Sequence, residues 1–412
     1  MNREITVIGA GIVGVACARR LQQEGHDVRL LDPLPPGHGC SWGNAGMFAT
    51  DSVIPLATPA TLASVPPMLL RSDAAVALRW QYLPRLLPWL ARFVANARPA
   101  RVEANTRALT ALCRAADAGT AALIADSAAA ELIHPSGWLT VYETPRGLAS
   151  GRREAAERNR RGVACEVLSR AEVQAYLPEA ADHIVGGLRS PDCSMCEDPG
   201  GMVARLADDF EQAGGTIVRQ RAHRLVTHAE GVGIEADHDE WICEHVVLAT
   251  GAETTCLARQ IGDRFPLDTE RGYHVMIPEA GIRPALPVMA GEYKFVTTPM
   301  AHGLRLAGLT ELGGTRLPPH PARCRTILKH ARRIFPGLQA GDWTEWLGFR
   351  PTLPDSLPVI GRSPRNPRVT YAFGHQHLGL TLAGLTAQLV VDDLAGREAP
   401  IDMAPVSPAR WQ

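Results

Sequence analysis

The sequence predicts an α/β protein in which a domain wound on a parallel sheet is interleaved with an α+β domain built on a mixed, largely antiparallel sheet. Three observations predict this. ITVIGAGIVGVACARRLQQEGHDVRLLD (Ile5 to Asp32) runs through a buried strand, a glycine turn, an amphipathic helix and a second strand. Parallel-strand texture then returns only near residue 216 and in the continuous apolar run HVVLATGA (His245 to Ala252), so the first unit is completed from far along the chain. The intervening segments do not repeat this pattern, and at 412 residues the chain is too long for one ordinary core. The spans 1–50, 196–262 and 345–412 are assigned to the first domain, and 51–195 and 263–344 to the second.

Taken in order, Ile5 to Ile8 reads as a strand, Ile12 to Glu24 as a helix ending at Gly25, and Val28 to Leu31 as the next strand. A turn rich in Gly, Ser and Asn, GHGCSWGNAGMF (Gly37 to Phe48), leads into a long helical region from about 60 to 130. Gly137 to Glu143 is strand-like, and Leu148 to Arg161 and Arg170 to Tyr176 are helical. A helix from Pro199 to Gly214 precedes strands at Thr216 to Val226 and Gly231 to Ala236. From Gly272 to Leu309 the pattern alternates, as in FVTTP and LRLAGL, and the chain closes with a strand (Val369 to Phe373), a glycine turn (Gly374 to Gly379) and an apolar helix over 380–394.

Composition excludes some functions. Forty-two Lys and Arg against 43 Asp and Glu leave no charge excess to drive nucleic-acid binding. Nine cysteines are scattered without a framework spacing, which suits a reducing compartment. Cys193 and Cys196 form C-x-x-C without a second pair at metal-ligand spacing, so no metal site is expected. The N-terminus lacks the charged and apolar regions of a secretory signal, which predicts a cytoplasmic address. The segment 75–97 carries Leu, Trp and Arg at amphipathic spacing; it reads as a helix covering the core, with peripheral membrane association as the competing reading.

Gly9, Gly11 and Gly14 form G-x-G-x-x-G between strand and helix, with Asp32 23 positions after Gly9. Gly9 makes the tight turn, Gly11 lets backbone approach a pyrophosphate, and Gly14 allows helix to pack on strand. The free N–H groups of the helix start then face the phosphates, and Asp32 accepts hydrogen bonds from ribose hydroxyls. This is a Rossmann-like unit, and the interleaving favours FAD over NAD, because an extended cofactor is contacted by segments far apart in sequence.

Three further segments, SWGNAGMF, VVLATGA and GFRPTLPDSLPVIG with FGHQHLGLTLAG, complete an ordered set. With it the chain resembles the D-amino-acid oxidase superfamily nearly end to end, most closely the bacterial FAD-dependent D-amino-acid dehydrogenases, with glycine oxidase more distant. The resemblance implies a noncovalent FAD held by Ile8, Gly9, Ala10, Gly11, Ile12, Val13, Gly14, Leu31 and Asp32. It places Ser41, Asn44, Ala45 and Gly46 along the flavin, and Ala222, Thr250, Gly251 and Ala252 on the adenosine side. Gly374, Leu378, Gly379, Leu380 and Thr381 would surround the pyrimidine end, where a helix start stabilises the charge of the reduced flavin.

The resemblance also makes Arg350 the residue that grips a substrate carboxylate through two parallel hydrogen bonds. Its competitor is a structural arginine paired with Asp355 or Glu345. The resemblance places the strands carrying Arg271, Tyr273, His274, Tyr293 and Lys294 over the flavin face, with Tyr273 first and Tyr293 second as expected pocket residues. His375 and His377 flank the last turn. Hydride transfer from a neutral amine needs no base, so positioning of the flavin is the role expected of His375.

The implied activity is oxidation of a small D-amino acid, with a quinone or an electron-transfer protein as acceptor. RGYH and FRPTLPDSLPVIG look most like members acting on cyclic D-amino acids such as D-proline or cis-4-hydroxy-D-proline. An oxygen-using D-amino-acid or glycine oxidase, and a flavin-binding subunit inactive without a partner, are the alternatives.

Overall fold

The computed structural model describes residues 2–69, 71 and 73–412. A six-stranded sheet carries the first unit, in the order Thr216–Val218, Asp27–Leu31, Glu4–Ile8, His245–Leu248, Val369–Phe373 and Val359–Arg362. All its pairings are parallel except the last. The helices Ile12–Gln23 and Gly379–Ala395 share one core with it, so segments from both ends of the chain build a single layer. A small antiparallel sheet (Ala222–Thr227, Val232–Ala236, Glu240–Cys243) lies against the other side of the parallel strands.

The second large sheet has nine strands, and an antiparallel run leads in from one end: Thr344–Thr352, Asp268–Ile277, Gly303–Leu312 and Phe295–Met300. The helix Ala322–Ile334 packs on one face of it. The loop Gly37–Phe48 meets the opposite face. Arg305 donates to the carbonyls of Trp42 (3.1 Å) and Asn44 (2.6 Å), Thr298 donates to Ala45 (2.8 Å), and the Trp346 ring lies where a Cβ on Gly43 would be. The two sheets are therefore joined through the same loop that follows the glycine fingerprint.

Some sequence expectations are revised. The region from about 60 to 130 is not one helical run: Pro59–Leu69, Leu83–Asn96 and Pro99–Ile124 are separate helices, and Val76–Leu78 pairs in parallel with Gly303–Leu312. Leu70 and Ser72, within that run, lie outside the described residues. Helix Pro99–Ile124, expected in the second domain, packs along Gly379–Ala395 in the core of the parallel-sheet unit. Gly119 and Gly384 bring these backbones together: a Cβ on Gly384 would sit 2.1 Å from the Gly119 carbonyl oxygen. The boundary placed at 345 falls inside the strand Thr344–Thr352, whose whole length pairs with the nine-stranded sheet.

Candidate active site

The fingerprint forms as its chemistry requires. Gly9 turns at φ +106°, and a Cβ there would lie 2.5 Å from the Ala249 carbonyl oxygen, beside the turn that carries Thr250, Gly251 and Ala252. Gly14 presses its helix onto Gly9. By contrast Gly11, the N-cap of Ile12–Gln23, has only Ser41 Oγ near its Cβ position, so the helix start is approachable from that side. Ser41 Oγ accepts from Ile12 N–H (3.0 Å) and Asp32 from the N–H groups of Ala10 and Leu34 (both 2.8 Å). Burial raises the Asp32 pKa against those bonds. A carboxylate has about four lone-pair sites, so Asp32 can still accept from hydroxyls. Ala222 opens the strand Ala222–Thr227, and Leu31 lies beside Val218 in the parallel sheet.

At the other end of the site Gly374 turns the chain out of Val369–Phe373, and Leu378 caps the helix on which Gly379, Leu380 and Thr381 form the first turn. Thr381 Oγ1 accepts from Ala49 N–H (3.0 Å), which ties the last helix to the chain just past the 41–46 loop, and Asn44 Oδ1 accepts from Gly46 N–H (2.8 Å) within that loop. His375 is turned inward: its ring meets Thr386 Oγ1 at 2.9 Å, and burial pushes its pKa down to about 4. Neutral at physiological pH, it ties the glycine turn to the second turn of that helix. His377 is exposed by area yet surrounded by protein, and its pKa also falls to about 4, through burial first and then the Arg350 charge.

Arg350 reaches across its strand neighbour. Its guanidinium occupies the space above Gly272, where a Cβ would be 2.4 Å from Cζ, and Nη1 donates to the Leu309 carbonyl at 3.0 Å. Leu309 sits at φ +55°, in a bulge opposite Gly272, and a bulge of this kind re-aims backbone groups next to a site. Among the described residues Arg350 has no ion-pair partner. Asp355 is taken by Arg410 (2.9 Å), and Glu345 lies one residue out of phase, on the other side of the strand. Cys40 Sγ bonds the backbone of Phe349 beside it, donating to the carbonyl at 3.0 Å and accepting from the N–H at 3.2 Å.

Tyr273 and Tyr293 are not brought to this face, which corrects their expected place in the pocket. Cross-strand partners share a face, and Arg350 is registered with Glu270, so Glu270, Gly272 and His274 face the site while Arg271 and Tyr273 face away. Tyr273 donates to Glu311 (3.0 Å) under the loop of His320. Tyr293 stacks on His330 of the covering helix at 3.9 Å and donates to Glu143 (2.7 Å). Lys294 adopts φ +56° beside it. Of the three on the strand Asp268–Ile277, His274 alone is on the site side, stacked on Trp346 and bonded to the Gly43 carbonyl (3.2 Å). Sequence reasoning passed over Glu270, although it lies in the same stretch, TERGYH, in phase with His274 and one step out of phase with Arg271 and Tyr273.

The parallel sheet, the glycine turn and an open sheet face carrying an unpaired arginine define a dinucleotide-binding oxidoreductase of two interleaved units. The chain belongs to the FAD dependent oxidoreductase family, whose pattern matches residues 4–393. It is 35% identical, over all of its length and 99% of the other's, to a D-amino-acid oxidase of Bradyrhizobium diazoefficiens. It is 33% identical to D-amino acid dehydrogenase 2 of Ralstonia nicotianae, covering 99% of this chain and 100% of that one. Its fold matches the crystal structure of glycine oxidase from Geobacillus kaustophilus with a TM-score of 0.74 over 99% of both chains, at 20% identity. FAD is the cofactor, and the approachable helix start at Gly11, the spare acceptors of Asp32 and the small residues of the 41–46 loop fit it.

Proposed function

We propose that this chain oxidises small D-amino acids, taking hydride from Cα and leaving an imino acid that hydrolyses to a keto acid and ammonia. A cyclic substrate such as D-proline or cis-4-hydroxy-D-proline would leave a pyrroline carboxylate. FAD, held noncovalently, supplies the hydride acceptor at its N5. The chain's own part is binding and orientation: Arg350 grips the carboxylate, and Gly272, having no side chain, gives the guanidinium room to lie flat on the sheet. The helix start at Leu378 stabilises negative charge near it, and the neutral His375 holds that helix in place.

The observation that carries this reading is the guanidinium of Arg350, tethered to the carbonyl of Leu309 at φ +55° and in no ion pair among the described residues. The test is turnover with an artificial acceptor on D-proline, cis-4-hydroxy-D-proline and D-alanine, repeated with Arg350→Ala. Removing one partner of a desolvated carboxylate pair is expected to cost about 3 to 5 kcal/mol in kcat/KM. A variant within a few-fold of wild type would refute the assignment, and D-alanine as clear favourite would refute the cyclic preference.

The natural acceptor follows from a second test. The relative from Bradyrhizobium is called an oxidase, so peroxide formed at the rate of dye reduction would identify oxygen as acceptor. A quinone or an electron-transfer protein is the acceptor we favour, approached at a membrane surface. No helix among the described residues is long and apolar enough to cross a membrane. Yet Trp80, Leu87 and Val94 stand exposed at seven-residue intervals, and helix Pro59–Leu69 has no buried side chain, which supports peripheral attachment through 75–97.

A further inference from the structure

Glu270 is the direct cross-strand partner of Arg350, so both side chains rise from the same face of the sheet. Pairs of this kind normally close into a salt bridge, but this one does not. Arg350 is drawn away across Gly272 to the Leu309 carbonyl, and Glu270 lies by Thr310 on the next strand. Neither residue is in an ion pair among the described residues. Both are half-buried, with Cys40 and His377 near enough to feel the Arg350 charge, while Asp268, two positions back on the same face, is engaged by the Tyr82 hydroxyl at 3.1 and 3.0 Å to its two oxygens. Burial pushes the Glu270 carboxyl above its usual range against the pull of Arg350. A partly desolvated carboxylate without a partner is costly to hold, and an incoming cation relieves that cost.

The two groups, neither closed into an ion pair, have opposite charge and rise from cross-strand positions, as the ammonium and carboxylate of an α-amino acid are joined through a single carbon. Resting on the reading of Arg350 as carboxylate anchor, we propose that Glu270 is the residue that recognises the substrate's amino group. Arg350 takes one pole of the zwitterion and Glu270 accepts a hydrogen bond from the other, so that amino acids are separated from carboxylic acids lacking an amine. The Leu309 bulge, by keeping the two apart, prevents the clamp from closing on itself.

Two inert ring acids of nearly one shape test this: pyrrole-2-carboxylate, which presents an N–H beside its carboxylate, and 2-furoate, which presents an oxygen there. Dissociation constants are read from the perturbation of the bound flavin's absorbance in the holoenzyme. Wild type is expected to prefer the pyrrole, and Glu270→Leu, which removes the acceptor at similar volume, to weaken the pyrrole about tenfold while leaving 2-furoate within about twofold. Glu270→Gln keeps an acceptor but no charge. It should retain the preference between the two rings yet lose about tenfold in kcat/KM for D-proline, whose amine arrives as a cation and gives its proton to solvent before hydride leaves Cα. Flavin content and melting temperature report folding of each variant.

Equal weakening of both ligands by Glu270→Leu would show a structural role acting through Arg350 and overturn the proposal, as would no change in either. Failure of the underlying reading looks different: wild-type flavin would not bleach with any D-amino acid, or Arg350→Ala would bind 2-furoate undiminished.

Discussion

The central strand Asp268–Ile277 presents one arginine–glutamate arrangement on each face of its sheet, and the two have opposite fates. Arg271 is registered with Glu311 on one neighbour, Glu270 with Arg350 on the other. On the helix-covered face Arg271 and Glu311 are fully buried and 3.2 Å apart, with Tyr273 donating to the same carboxylate and the Pro318 carbonyl accepting from Arg271. On the open face the arginine is diverted to a backbone carbonyl and the acid is left without it. Register alone therefore does not make an ion pair. A glycine and a bulge decide whether a facing pair closes into an ion pair or stays open.

The sharpest way to break this contrast is to remove one member of the closed pair. Glu311→Ala strands a fully buried guanidinium and is expected to cost about 3 to 5 kcal/mol in urea unfolding, while kcat per bound flavin in the protein that remains folded changes little. If activity per flavin fell as steeply as it should in Arg350→Ala, the faces would not be separable. Next in size is Gly272→Ala, whose new methyl would lie 2.4 Å from Arg350 Cζ. It should push the guanidinium off its seat and lower kcat/KM by about 10- to 100-fold with a small change in melting temperature. A large loss of stability with unchanged turnover would mean that the glycine serves packing instead. Tyr273→Phe is the mildest: losing one buried hydrogen bond to Glu311 is expected to cost about 1 to 2 kcal/mol in stability and nothing in kcat/KM. A selective fall in kcat/KM would return Tyr273 to the pocket.

The same contrast marks where the sequence was legible. Each glycine of the fingerprint has a local task, so three letters announced the turn and the helix start, and the acid 23 positions on stands beside that turn. Arg350 was legible because prolines and an aromatic stiffen its surroundings. The parity of the strand Asp268–Ile277 was not, since slipping the reading by one residue exchanges the faces, and nothing local says whether Tyr273 or Glu270 looks at the site. The placing of helix Pro99–Ile124 was hidden for a related reason. Its contact with the last helix depends on Gly119 meeting Gly384, two small residues far apart in sequence, and neither carries a periodic signature.

The interleaving has a consequence for how the molecule is made. The first strand leaves the ribosome at once, but its sheet gains Val369–Phe373, and its core the helix Gly379–Ala395, only when synthesis is nearly over. Until then the face that helix Pro99–Ile124 will cover on the last helix does not exist. High sequence separation of contacts slows folding and lengthens the exposure of apolar surface, so the nascent chain must be shielded for most of its synthesis. Cofactor capture is then a late event, and shortening the chain by its last helix should abolish flavin retention even though every residue of the glycine fingerprint remains.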